Sequence, residues 1–418
     1  MSKLISNSMV VLATTLLMAG AGAVFWVVAA RLASPDDVGL AGSLVAAGDS
    51  LALFAQVGLN IAIVRTLPTS SRRAADVVAA ALVVTTAGAA FALAYALLLP
   101  VASPRLAAVL ESPWTIAAYA VLVAATALNV LTDSVFLAID RVWSFFRLNG
   151  LLLGVLKSGL PFLLAGAGAF GLYGSVGLAL LCCAAASLVV VLRHVPGPRR
   201  PRPSPELLAN RGFAAAGYVT YVLTVLPLLV FPLVVVNALG SAQAGAYFIS
   251  FQVAALLNAG VLAVGNAAYA ECERATHGRH ALVRRSGMLL LGGAVAGCGA
   301  MVLLAPYFLA IFGAHYVDEG TATLRVLALA CVGAALNYWG MMRLRLAANL
   351  AAMIGVQLVS TLVMLGLALA LVGHGTVWVA AAWGIGHAVG GLLGWVVTTT
   401  FARYADGAPA PTTELAPA

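Results

Sequence analysis

Charge is what this 418-residue sequence has least of: only 9% of its residues are Asp, Glu, Lys or Arg, against 63% that are hydrophobic. A soluble domain carries roughly 25% charged residues, so the chain lacks the material for a water-facing surface. Cysteine is scarce as well. Of five, Cys182, Cys183, Cys298 and Cys331 fall in apolar blocks and Cys272 in a charged loop. None has metal-ligand spacing and no disulfide framework is implied. There is no Walker sequence, no HExxH, no GxSxG and no clustered carboxylates in a loop large enough for a site. An enzyme is therefore not expected, nor a cofactor or a metal, and hydrolysis of ATP within the chain is discounted.

What is present is apolar sequence in blocks long enough to cross a bilayer. A span needs about 20 apolar residues, and lipid-exposed backbone must satisfy its own hydrogen bonds, so such runs read as helices. The predicted spans are 8–30, 38–63, 77–99, 114–138, 148–170, 172–193, 212–237, 243–268, 286–312, 323–342, 349–372 and 376–401. The first is too long for a signal-peptide core and reads as a retained helix. The fold class is thus all-α, a polytopic membrane protein of about twelve helices.

The net charge of +8 is distributed by topology. With the N-terminus in the cytoplasm, about eighteen Lys and Arg residues in or beside the loops fall on the cytoplasmic side, against Arg31, Arg105 and Arg325 on the outer side. That is a strong positive-inside bias, and it predicts both termini inside. It also accounts for the basic character without a nucleic-acid partner, the clusters being suited to anionic lipid headgroups. The longest charged break, HVPGPRRPRPSPELLANR at 194–211, reads as a stiff solvated linker. It separates an amino-terminal six-helix lobe (1–193) from a carboxyl-terminal one (212–402), and 403–418 reads as a disordered tail.

The halves repeat one another. LASPDDVG at 32–39 has a counterpart in LGSAQAG at 239–245, each joining the first two helices of its lobe, and ALN at 127–129 recurs at 335–337. Six helices per half with matching loops on the same side imply a parallel repeat, as in transporters whose halves rock about a central site.

Three ionisable residues stand out inside spans, where each costs about 2.5–3.5 kcal/mol at mid-helix on the insertion scale. At roughly 1.5 Å per residue, Asp49 lies about 16 Å below the outer start of helix two and Lys157 about 13 Å above the inner start of helix five. They are near the same level. Asp133, about 28 Å down helix four by the same rise, is placed near the cytoplasmic interface, beside Arg141 or Arg147. Two readings of Asp49 and Lys157 stand: an ion pair locking the first lobe, or a cavity lining in which Lys157 meets phosphate. Neither has a charged counterpart in the second lobe. Arg65 ends helix two at the cytoplasmic face, either anchoring it or meeting an arriving pyrophosphate. Pro161, Pro227 and Pro232 lie within spans, where proline removes a donor and kinks a helix; they shape the bundle or mark a gate. Gly386, Gly390 and Gly394 form a small-residue stripe for close packing. His387 within it is either a satisfied interior histidine or a proton-coupling one.

RLASPDDVG at 31–39, followed by GLNIAIVR at 58–65, resembles the polysaccharide transporter family of O-antigen and teichoic-acid exporters. FLAIDRVWSFFRLNGLLLGVLKSGLPFLL at 136–164 is similar to that family's passage from the fourth to the fifth helix. IFGAHYVDEGTATLRVLALACVGAALN at 311–337 is similar to its lead into helix ten. The family belongs to the multidrug/oligosaccharidyl-lipid/polysaccharide exporter superfamily, with multidrug and toxic-compound extrusion proteins and lipid II flippases. The resemblance implies two six-helix lobes forming a V around a central cavity, in a bacterial cytoplasmic membrane. It implies flipping of an undecaprenyl-pyrophosphate-linked oligosaccharide from the inner to the outer leaflet; the candidate substrate contacts, read from charge within or at the ends of spans, are Lys157, Asp49, Arg65 and Asp133. A proton or sodium ion is the candidate coupling ion. The short loops leave no room for the extra helices of the lipid II flippases. The competing readings are a cation-coupled multidrug efflux pump on the same fold, and a membrane polymerase or assembly scaffold with no transport cycle.

Overall fold

The computed structural model describes residues 3–209, 211–275 and 278–400; the expected tail at 403–418 lies outside the described residues. Those residues are all-helical. Among the described residues, eleven helical stretches are long and apolar enough to cross a membrane. One of them, Val142–His194, has 53 residues, which as a single helix would be about 80 Å long. It is broken at Ala165–Gly168, where Gly168 takes φ 64°, and its two limbs pack side by side, so it crosses twice. The expected hairpin turn at 170–172 thus comes a few residues earlier, because only glycine adopts that φ without strain.

The helices are α1 (Lys3–Leu32), α2 (Pro35–Phe54), α3 (Leu59–Thr66), α4 (Arg73–Ala102), α5 (Pro113–Ala138), α6 (Leu153–Gly159), α7 (Gly168–His194), α8 (Arg211–Leu239), α9 (Ser241–Arg274), α10 (Arg279–Ala310), α11 (Ala314–Leu346), α12 (Leu350–Leu371) and α13 (Thr376–Thr400). Large apolar side chains point outward along them, among them Leu97, Val155, Leu163 and Leu303, as a lipid-facing surface requires.

Span two is not the continuous helix expected over 38–63. It stops at Phe54, and Val57 and Gly58 take φ 47° and 77° before α3 begins. Non-helical backbone at membrane depth survives only where protein supplies the lost hydrogen bonds, and here it does. The Gln56 amide donates to the carbonyls of Ala52 (3.1 Å) and Ala127 (2.9 Å), and the Tyr218 hydroxyl donates to that of Phe54 (2.7 Å).

The RLASPDDVG segment works as a junction. Pro35 opens α2, where its missing N–H costs nothing, and Ser34 accepts the Asp37 N–H at 3.1 Å as N-cap. The Asp37 carboxylate also accepts the Ala169 N–H at 3.0 Å, capping α7. Asp36 accepts the Ser241 hydroxyl. Arg31 forks onto the carbonyls of Ala310 (3.1 Å) and Ile311 (2.9 Å). Gly39 lies so near the lead into α9 that a Cβ on it would sit 1.9 Å from the Ser241 carbonyl oxygen, and one on Gly245 would sit 2.6 Å from that of Pro35. The two segments read as repeats therefore cross at their matching glycines.

The chain divides into two compact units, one from the described residues of Met1–Ile249 with Ala310–Tyr316, the other from those of Ser250–Leu309 with Val317–Ala418. In the first, α5 is the central helix, packed by α2, α3, α4 and α7, while α8 lies along α2. In the second, α12 and α13 form a tight pair. A Cβ on Gly386 would lie 2.1 Å from Met364, and one on Gly394 2.9 Å from the Gly340 backbone, so the small-residue stripe is a packing seam. The repeated ALN asparagines have equivalent duties. Buried Asn129 donates to Asn149 Oδ1 at 2.9 Å, and the Asn337 amide bonds the His387 ring at 2.9 Å.

The linker is exposed through its arginines but docks at its far end. Ser204 and Leu207 are buried, and Pro205–Ala209 forms a short helix. Buried Asp76 holds it, accepting the Ser204 N–H (2.6 Å), the Ser204 hydroxyl (2.8 Å) and the Ser70 hydroxyl (2.5 Å). At the rim, its own backbone N–H and the Ser204 and Ser71 hydroxyls hold the exposed Glu206 carboxyl below its usual range. Asp76→Ala leaves buried donors unmet, at about 1–3 kcal/mol, and is expected to release the segment. Trypsin cleavage of the Arg199–Arg200 bond, the one arginine bond of this stretch not followed by proline, should then accelerate about tenfold or more relative to the native chain. An unchanged cleavage rate would show that Asp76 does not hold the linker.

Candidate functional site

The first unit contains a polar interior built around α5. From α2 comes Asp49, from α4 Tyr95, from α5 Tyr119, Asn129 and Asp133, from the passage before α6 Asn149, from α6 Lys157, and from α7 Tyr173 and Cys183. The helix spacing explains part of this: Asn129 and Asp133 are four apart and share a face.

Asp49 and Lys157 are brought together. Each carries a charge the other feels, and Lys157 is also felt by Cys183. They form no direct ion pair, and neither has a hydrogen-bond partner among the described residues. Asp49 is exposed and Lys157 is half-buried.

Sequence reasoning missed the tyrosines. Tyr95 stacks on Tyr119 at 6.0 Å between ring centroids, and Tyr119 leans on Tyr173 at 5.1 Å. Asp49 is within electrostatic reach of Tyr119 and Tyr173, and the hydroxyls of Tyr95 and Tyr119 are buried without partners. Tyrosine is so common a packing residue that nothing in its spacing on three separate helices announces a cluster.

Asp133 is not beside Arg141 or Arg147 in any hydrogen bond or ion pair among the described residues. Its Oδ1 is enclosed and unpartnered, and the carboxylate lies next to the Asn149 amide. Asn149 in turn accepts from Asn129 and, at 3.5 Å, from the Cys183 thiol. Asp133 thus belongs to a buried amide–carboxylate group one layer from Lys157. Arg65 stands apart, exposed near the end of α3. Pro161 follows the end of α6, where the helix stops for one residue; Pro227 and Pro232 are buried inside α8, which runs through both without interruption.

A seven-residue π-helical segment, Phe146–Leu152, precedes α6. Such widened turns are rare and occur frequently at functional sites, and this one sets the register that turns Asn149 and Lys157 to the same interior. The Leu-rich run offers no sign of it.

No family model matches the chain, and neither does any protein of curated function. Solved structures do. An inward-facing multidrug resistance MATE family transporter of the MOP superfamily superposes with a TM-score of 0.65 at 14% identity, over 91% of this chain and 92% of that one. The outward-facing conformation of a multidrug resistance MATE family transporter gives 0.61 at 15% identity, over 94% and 93%. A MOP superfamily transporter from Pyrococcus furiosus, described as having a binding pocket of reverse polarity that suggests a different function, gives 0.62 at 14% identity, over 94% of each chain. The protein is therefore an all-helical integral membrane protein with the fold of the MATE and MOP superfamily transporters.

Proposed function

We propose that this protein is a transporter that moves a lipid-linked oligosaccharide, joined to its lipid through pyrophosphate, from the arginine-rich face to the opposite leaflet for surface polysaccharide synthesis. The observation that carries the reading is Lys157: a mid-span cation, half accessible, whose side chain has no ion-pair or hydrogen-bond partner among the described residues. Retaining an unpaired lysine there costs about 2.5–3.5 kcal/mol, and an anionic ligand is the partner that offsets it. The motif resemblance and the transporter fold point the same way. The Pyrococcus furiosus relative shows that pocket polarity varies on this fold. The arginine-rich face is taken as cytoplasmic by the positive-inside rule.

One observation favours a second reading. Tyr119 and Tyr173 beside Asp49 would suit an amphiphilic cation, the kind of cargo a cation-coupled multidrug efflux pump takes. The two readings invert the roles of the charges: anion transport depends on Lys157, cation efflux on Asp49.

A pyrophosphate substrate also fixes the driving force. Each negative charge moved outward gains about 2.3 kcal/mol per 100 mV when the cytoplasm is negative, and two gain about twice that. In reconstituted vesicles, imposing a potential negative on the arginine-rich side is expected to accelerate flipping of the lipid-linked substrate toward the other leaflet. Flipping indifferent to potential contradicts this driving force and points to proton or sodium exchange. Extrusion of an amphiphilic cation with no movement of the lipid hands the site to the second reading.

A further inference from the structure

Where α5 gives way to the next passage, the chain builds a second site. α5 ends at Ala138 in a reversal in which Asp140 takes φ 58°. The Asp140 N–H donates to the Leu137 carbonyl at 3.3 Å, and the Arg141 N–H reaches back to that of Phe136 at 2.9 Å. These two bonds close the helix as a Schellman turn, with aspartate, one of the few other residues that visits the left-handed region, in place of glycine. One α-turn, Val142–Phe145, and the π segment follow, and Arg147 on that widened turn returns to the neighbourhood of Arg141. The product is a cavity of about 700 Å³ lined by Ile139, Asp140, Arg141, Trp143, Ser144 and Arg147.

Its chemistry is that of an anion site at a membrane surface. Both guanidinium-bearing residues are exposed, and neither side chain has a hydrogen bond or ion pair among the described residues. At the other end of the same unit the arginines are differently used: Arg31 and Arg105 donate to the backbone carbonyls of Ile311 and Val236. Asp140 contributes one negative charge, so two guanidinium groups against one carboxylate leave the wall positive. Trp143 is 55% exposed, with Phe146 edge-on to it at 5.8 Å. An indole so placed offers an apolar face to a hydrocarbon chain while its ring sits at headgroup level. Ser144 supplies a further hydroxyl donor.

We propose that this pocket binds the phosphate head of a membrane lipid, the phosphate or pyrophosphate held between Arg141 and Arg147 and the lipid chain against Trp143. The forked guanidinium matches phosphate oxygens two at a time. The proposal rests on the transport reading only for the identity of the lipid: on that reading, the pocket is where the lipid-linked substrate first docks on the arginine-rich face. The same head chemistry occurs in bulk anionic phospholipid.

The test is native mass spectrometry of the purified full chain in neutral detergent, titrated separately with undecaprenyl pyrophosphate and phosphatidylglycerol. Arg141→Gln/Arg147→Gln is expected to weaken binding of at least one of these lipids by about tenfold or more. Trp143→Ala should weaken it less. Arg141→Lys/Arg147→Lys, which keeps the charge and loses the fork, should fall between native and glutamine forms. A loss confined to the polyprenyl lipid identifies a substrate-docking site, and a loss shared with phosphatidylglycerol a general anionic-lipid site. Equal binding by native and glutamine forms, or no binding by the native chain, overturns the assignment. Flipping measured on the same preparations separates the two claims. A native chain that binds the lipid at this pocket without moving it refutes transport and leaves the pocket standing.

Discussion

Lys157→Met is expected to lower flipping of a lipid-linked pyrophosphate substrate by about a hundredfold or more, while leaving the protein as stable as before. The first half follows from what the lysine offers. A charge-assisted hydrogen bond is worth roughly 1.5–3 kcal/mol, and an ammonium facing a pyrophosphate makes more than one. Each ~1.4 kcal/mol is a factor of ten. The second half follows from what the lysine lacks. Its side chain has no ion-pair or hydrogen-bond partner among the described residues, so its removal breaks no hydrogen bond, and the thioether spares the span an insertion cost of about 2.5–3.5 kcal/mol, which offsets the charge that Asp49 no longer feels. Thermal unfolding in detergent and flipping in vesicles check the two halves together. Lys157→Arg keeps the charge and should retain most activity. If the methionine variant unfolds at lower temperature, Lys157 is a structural partner of Asp49. If it transports like the native chain, the ligand is held elsewhere.

Gly39→Val should prevent the protein from accumulating in membranes at all. A Cβ at position 39 lies 1.9 Å from the Ser241 carbonyl oxygen and 2.7 Å from the Gly245 nitrogen. Both are backbone atoms, so no side chain can swing aside, and the lead into α9 must move bodily from α2. That displacement also strains the Asp36 bond to Ser241 and the Asp37 cap on Ala169. The combined loss belongs with the exceptional substitutions, above about 4–5 kcal/mol. Gly22→Ala is the matched control: nothing lies within 4 Å of a Cβ there, and losing a mid-helix glycine gains about 0.5–1 kcal/mol. The check is membrane yield with size-exclusion behaviour of both variants. A well-expressed, monodisperse Gly39→Val protein would refute the crossing.

The contrast between these two residues also marks what could be read from the sequence. Gly39 and Gly245 stand at matching places in two similar segments, so the repeat was visible as a pattern, though not that the two glycines touch. Asp49 and Lys157 stood out because a charge in an apolar run is rare, and simple depth arithmetic placed them at one level. The break at Ala55–Gly58 was hidden, since apolar character continues through it and the partners that pay for it, Ala127 and Tyr218, are distant in sequence. The π segment before α6 was hidden for the same reason: hydropathy measures burial in lipid and carries no record of hydrogen-bond register. The docking of Ser204 on Asp76 was masked by the prolines and arginines around it, which signal solvation and outweigh one serine in composition.

The account turns on one claim, that a pyrophosphate-bearing lipid crosses through this protein. Its most direct measurement uses vesicles containing the purified chain and a fluorescent lipid-linked oligosaccharide distributed over both leaflets, exposed to a membrane-impermeant quencher. With the protein present, fluorescence is predicted to fall past the outer-leaflet fraction toward complete loss, as inner-leaflet lipid is carried out. Fluorescence that stops at the outer-leaflet fraction, matching protein-free vesicles, contradicts the account.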